Sequence, residues 1–298
     1  MSDGRKPQHK ADLALLLVSF VWGITFVVVK DALADISPFY FLALRFSTAF
    51  LFLGLVFFKQ MLKTNLQEIW AGICISLFLF GGYAFQTVGL KYTGAANAGF
   101  ITGLAVVLVP LFVTLTSRQL PSEKLMAGVT SSVLGLALLS LNAHLSFNYG
   151  DLLVFFCALC YAGHIIMVGR FTSLLDPVRL TIIQIGSVSA ISFLFGFALE
   201  TPPSSITGPV WTALLVTSIP ATSLAFLIQN KAQKFTSTIH TAVIFTTEPV
   251  FAGLAAFVLA GEVLSFRQLT GCALILVGML IVSLKGRSPE EDKLELAS

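Results

Sequence analysis

Few residues of this chain could do chemistry, and most of them lie inside apolar runs. Cys157, Cys160 and His164 spell C-x2-C-x3-H at a spacing that shares one helical face, and soft sulfur and imidazole ligands in that order suit copper or zinc. A fourth ligand and a His-rich or acidic entrance are missing, because His9, His144 and His240 lie elsewhere in the chain. A soft-metal pathway therefore stays only as an alternative, and no resident metal or other cofactor is expected. Catalysis has no constellation to work with. The chain carries no H-E-x-x-H, no glycine-rich phosphate loop, no paired aspartates suited to an intramembrane protease and no acidic cluster for diphosphate chemistry. The chain is not expected to be an enzyme, and any uphill work it does must draw on an ion or exchange gradient.

The remaining polar groups suit recognition. Glu248 precedes Pro249, which leaves the carbonyl of Phe245 without its helical donor and invites a kink; a carboxylate beside a broken helix suits proton or substrate coupling, or else is a packed acid. Arg45 is the one charge between Phe39 and Phe58 and must find a carboxylate, carbonyls, water or an anion, as a structural clamp or as a substrate or gate contact. Trp22 and Thr25 are three apart, as are Tyr161 and His164, so each pair projects from one helix face, where the rings would stack on a planar or apolar solute or serve as packing aromatics. His164 would suit proton coupling or a hydrogen-bonded core role. Tyr83, Gln86, Thr87 and Asn97 offer donors and acceptors, and Phe100 and Phe226 are candidate walls. Gln229 and Asn230 fall near a span end. Gly99 and Gly103 form a small-xxx-small pattern for close helix approach, while Glu123 and Glu262 sit at turns where they can cap the next helix.

Positioning these groups requires a membrane-spanning frame. Of 298 residues, 56% are hydrophobic and only 11% charged, and the mean hydropathy is +0.89, whereas a soluble domain carries about 25% charge. Ten apolar stretches are expected at about 12 to 29, 39 to 58, 69 to 90, 95 to 117, 125 to 142, 151 to 168, 180 to 199, 209 to 230, 237 to 260 and 267 to 284. Such spans satisfy their backbone in lipid only as helices, and the alternation of a barrel is missing, so the fold class is all-α integral membrane. Fourteen of the 18 Lys and Arg residues fall on the side of the N-terminus and three on the other, which puts both termini in the cytoplasm of a cell (inner) membrane protein. The first apolar run lacks a small-residue cleavage site and reads as a retained span. Cys74, Cys157, Cys160 and Cys272 lie in apolar runs and form no disulfide framework. A net charge of +3 gives no reason to expect nucleic acid, and a monomer in the bilayer with a small-molecule partner is the expected state.

The sequence also repeats itself. At an offset of 139, Asp12, Trp22, Pro38 and Arg45 fall on Asp151, Tyr161, Pro177 and Gln184, and Pro110 falls on Pro249. At an offset of 143, Lys91-Tyr92-Thr93 falls on Lys234-Phe235-Thr236, and Gly128 and Gly135 on Gly271 and Gly278. Five spans per copy is an odd number, so the second copy enters from the opposite side. Two inverted five-helix repeats, residues 11–142 and 150–285, with a tail at 286–298, are the expected organisation, and secondary transporters use it with a midplane site.

Trp22-Gly23, Pro38 before Arg45, Lys91-Tyr92-Thr93, Val109-Pro110-Leu111, Thr247-Glu248-Pro249-Val250 and Gly261-Glu262 resemble the EamA family of the drug/metabolite transporter superfamily, over about residues 11 to 285. The resemblance implies a ten-helix carrier with a cavity lined by helices 1, 3, 4, 6, 8 and 9, like the YddG-type exporters of aromatic amino acids. It implies an exporter of small organic metabolites such as amino acids, rocking at Pro110 and Pro249. Trp22, Thr25, Arg45, Tyr83, Gln86, Asn97, Phe100, Tyr161, His164, Gln184, Phe226 and Glu248 are the expected cavity residues. A facilitative, channel-like pore is the alternative that the repeats also allow.

Overall fold

The computed structural model describes residues 5–93, 95–118, 120–140, 148–260 and 265–283; Glu262 and the expected tail lie outside them. Fourteen α-helices and no strand are found among the described residues: α1 (Arg5–Ala32), α2 (Pro38–Val56), α3 (Phe58–Met61), α4 (Leu66–Gly89), α5 (Ala95–Gly103), α6 (Ala105–Ser117), α7 (Glu123–Ser140), α8 (Tyr149–Thr172), α9 (Pro177–Leu199), α10 (Gly208–Ser218), α11 (Ala225–Ala232), α12 (Thr238–Phe245), α13 (Glu248–Ala260) and α14 (Phe266–Ser283). A π-helical turn, Ile219–Leu224, joins α10 to α11. Six helical stretches among the described residues are long and apolar enough to cross a membrane: Pro38–Val56, Leu66–Gly89, Ala98–Ser117, Tyr149–Thr172, Pro177–Leu199 and Gly208–Ala232. The other four intervals expected from the sequence are occupied by α1, α7, α12 with α13, and α14.

Local chemistry sets the helix ends. Asn65 and Glu68 form a reciprocal capping box that starts α4, and Asn148 and Asp151 do the same for α8. Asp176 accepts from the amides of Val178 and Arg179 to open α9, with Pro177 in the first turn, where its missing N–H costs nothing. α2 starts at Pro38 with no cap from its own Ser37 side chain. Its free amides at Phe39 and Tyr40 are taken by Glu200, at the far end of α9, at 3.0 and 3.1 Å. The helix-breaking positions differ from the proline-based expectation. The first break falls at Leu104, between α5 and α6, six residues before Pro110, which sits inside α6. The second falls at Thr246 and Thr247, and Pro249 stands in the first turn of α13.

The packing pairs helices from the two halves of the sequence. α2 lies antiparallel to α9, with Ser47 Oγ 2.7 Å from Ser189 Oγ and the ring of Phe50 over Gly186. The positions Ser47 and Phe50 correspond to Gly186 and Ser189 at the offset of 139, so the two contacts exchange when the halves are exchanged. α7 crosses α14 the same way: a Cβ on Gly135 would come 2.6 Å from the carbonyl of Gly271, and one on Gly128 would come 3.0 Å from that of Gly278. Glycine is required there because backbone meets backbone. Gly103 also makes a close approach, to Leu136, whereas nothing lies within 4 Å of a Cβ on Gly99, so only one member of the small-residue pair serves packing.

At one end of the bundle Arg179 reaches Glu68 Oε1 through Nε at 2.8 Å and Nη2 at 2.6 Å. There Thr236, in the turn between α11 and α12, donates to Asp12 of α1 at 2.9 Å. At the opposite end Thr93, in the turn between α4 and α5, donates to Asp151 of α8. α8 itself spans the distance between them, with Gly150 against Thr93 and Gly169 against Thr238, roughly 28 Å apart at 1.5 Å per residue.

Candidate functional site

The π-helical turn organises the interior. Pro220 has no N–H, so the chain widens around it and Ser223 returns its hydroxyl to the carbonyl of Ser218 at 2.9 Å. The carbonyl of Ala221 is thereby left to side chains, and it accepts from Trp22 Nε1 at 2.8 Å and from Arg45 Nη2 at 3.4 Å. Arg45 also donates from Nε to Thr222 Oγ1 at 2.7 Å and from Nη2 to the Tyr83 hydroxyl at 3.2 Å, and its guanidinium lies 4.9 Å from the Tyr83 ring centre. Of the two readings of Arg45, a clamp tying α2 to α4 and the π-turn describes these contacts, since only Nη1 makes no hydrogen bond among the described residues.

Around this clamp the aromatic rings close into one cluster. Phe226 is its hub: Trp22, Phe46, Tyr83 and His164 all have ring centres within 6.4 Å of it. Tyr161 joins edge-on to Tyr83 at 5.8 Å, and Trp22 packs on Phe245 at 5.1 Å. Trp22 and Tyr161 thus meet through Tyr83 and Phe226 rather than face to face. Gly82 makes room for Tyr161, because a Cβ there would lie 2.3 Å from the ring. A polar chain leads away from the cluster: Tyr161 donates to Gln86 Oε1 at 3.3 Å, Gln86 Nε2 donates to Thr102 at 3.3 Å, and Thr102 meets Cys157 Sγ at 3.9 Å.

Glu248 stands at the edge of this cluster. It is half-buried in the first turn of α13, packed against α1 where its carbonyl faces Gly23. Its carboxylate makes no hydrogen bond or ion pair among the described residues. The other interior acids differ in this respect, since Glu68, Asp12 and Asp151 all have partners.

The other expected site residues are placed as follows. His164 is 3% exposed and shares a 3.1 Å hydrogen bond with Gln184, the repeat counterpart of Arg45, so it is a satisfied core residue. Thr25 spends its hydroxyl on the carbonyl of Trp22. Phe100 packs with a second apolar cluster around Val106, Leu136 and Ile275. Asn97 lies in α5, and its side chain is outside the described residues. Cys157, Cys160 and His164 do not converge: among the described residues no three His, Cys, Asp or Glu side chains form a metal-holding group. Gln229 and Asn230, expected to mark a span end, are fully buried, with Asn230 donating to Thr181 of α9 at 2.9 Å. Phe46, Thr102, Thr222, Phe245 and the Ala221 carbonyl were not among the expected site residues. Pro220 in the apolar run 209–230 is the signal that marks the carbonyls beside it.

Among the described residues the arrangement brings together aromatic rings, side-chain amides and a carboxylate that makes no hydrogen bond or ion pair. The model of the EamA-like transporter family matches the chain twice, at residues 9–141 and 148–284. A transporter of Archaeoglobus fulgidus, described as uncharacterized, is 38% identical over 92% of this chain and 86% of its own. A probable amino-acid metabolite efflux pump of Salmonella typhimurium is 28% identical over 92% of this chain and 94% of its own. One crystal structure superposes with a TM-score of 0.77 at 21% identity, over 92% of this chain and 96% of that one, a likeness of fold.

Proposed function

The chain belongs to the EamA-like transporter family, and on that premise we propose that it is a secondary carrier of small organic metabolites, foremost amino acids including aromatic ones, working by alternating access. In this reading ten spans form two inverted five-helix repeats in the cell membrane with both termini cytoplasmic. The family match in two copies supports the repeats, as do the exchanged contacts of Ser47 with Ser189 and Phe50 with Gly186. The excess of Lys and Arg on the side of the N-terminus supports the orientation.

The observation that carries the reading is the Trp22, Tyr83, Tyr161 and Phe226 cluster beside Glu248, whose carboxylate has no partner among the described residues, at the meeting of helices from both halves. Rings hold the body of the solute, while Gln86 and Glu248 hold its polar end. Rocking of the halves would use the breaks at Leu104 and at Thr246 and Thr247, with Pro249 keeping the second from closing into continuous helix. Export is the direction named for the Salmonella relative. Monomers suffice, since the cluster is built within one chain.

The test is uptake of labelled amino acids into liposomes carrying the purified protein, with a thermal-shift screen of other solutes in parallel. Saturable, competed uptake supports the carrier. Flux that stays linear with concentration would make the protein a pore. Stabilisation by another solute without amino-acid uptake would keep the carrier and replace its cargo.

A further inference from the structure

The geometry points to Glu248 as the anchor for a cargo's ammonium group, which makes the cargo an organic amine with an apolar or aromatic body and excludes simple carboxylates. This inference rests on the carrier reading and deepens it. A carboxylate at membrane depth is costly unless something answers its charge, and nothing among the described residues does so for Glu248. Trp22 and Phe245 pack on each other just before the start of α13, and the negative faces of such rings attract a cation further.

Arg45 is the counter-charge that could have neutralised the site, and it does not. Three hydrogen bonds to Thr222, Tyr83 and Ala221 occupy it, and it makes no ion pair with Glu248. Arg45 is held in the wall by neutral acceptors, whereas the Glu248 carboxylate has no partner among the described residues, so the site offers an ammonium a direct partner and sets a negative charge against a simple carboxylate. An inorganic cation fits less well. Hard cations gather six or more oxygens, and among the described residues no three His, Cys, Asp or Glu side chains come together to begin such a set.

The test is calorimetric binding to the full-length protein in detergent with three probes of one carbon frame: phenethylamine, L-phenylalanine and 3-phenylpropionate. Phenethylamine and L-phenylalanine are expected to bind, with 3-phenylpropionate at least tenfold weaker. Glu248→Gln is expected to weaken phenethylamine at least tenfold, and Glu248→Asp to keep the order of the three probes, which guards against a variant that merely folds badly. Equal binding of the acid, unchanged amine affinity in Glu248→Gln, or no binding of any probe overturns the inference. Saturable transport without amine preference would sink this inference alone, whereas amine binding without flux would sink the carrier reading alone.

Discussion

Thr236 donates a 2.9 Å hydrogen bond to Asp12, and its repeat counterpart Thr93 donates to the counterpart of Asp12, Asp151, at the other end of the bundle. Each contact fastens the first helix of one half to the turn before the fourth helix segment of the other. In the proposed rocking of the two halves about a central site, one end must open at a time, and these paired contacts are where that proposal puts its latches.

Replacing one latch should bias the equilibrium toward the face it holds shut. Thr236→Val should raise the rate at which a membrane-impermeant maleimide reaches a single cysteine at Gly99 from the face that carries the N-terminus, in a background with the four native cysteines changed to serine. Thr93→Val should raise it from the opposite face. Leaving a buried carboxylate short of a donor costs about 1–3 kcal/mol, a shift of roughly 5–150-fold in such an equilibrium. Equal effects of both variants from both faces would contradict the latch assignment.

At the crossing of α7 and α14, Gly135→Ala or Gly271→Ala places a methyl against backbone that cannot yield. Each should destabilise the fold by about 1–3 kcal/mol, read as a lower midpoint of thermal unfolding in detergent. Gly99→Ala, with open space around its new methyl, should leave the midpoint unchanged.

The Arg45 clamp uses two nitrogens of a planar fork on three acceptors, a set that an ammonium cannot reproduce. Arg45→Lys should therefore cost stability, about 1–3 kcal/mol by thermal unfolding, while KM for cargo moves less than threefold. A large KM change with an unchanged unfolding midpoint would make Arg45 a cargo contact instead.

His164 is enclosed by Gln184 and the edge of Phe226. His164→Gln should leave the pH profile of transport in place, measured as initial rates from pH 5 to 8. Loss of the profile in that variant would assign the titrating group to His164.

How much of this was legible in the sequence depended on periodicity. Apolar runs and the offsets of 139 and 143 located the helical segments and paired Asp12 with Asp151 and Thr93 with Thr236 before any contact was known. The spacing of Trp22 and Tyr161 brought both rings into one cluster. Long-range partners were not legible. Nothing local to Arg45 says that Thr222, 177 positions on, will receive its Nε, because that depends on a π-helical turn set by tertiary packing. Phe226 is one of 27 phenylalanines, and only its position past that turn makes it the hub. Proline alone does not give the segment ends, since Pro110 is carried inside α6 while the chain breaks at Leu104, and Pro249 stands in the first turn of α13.

The most direct test of the carrier reading is the initial rate of labelled L-phenylalanine uptake into proteoliposomes against its concentration, with protein-free liposomes as the baseline and with and without a pH gradient. A hyperbolic rate is expected, competed by unlabelled phenylalanine and reduced at least tenfold at low concentration in Glu248→Gln. A rate that rises linearly without saturation, or uptake no greater than in protein-free liposomes, would contradict it.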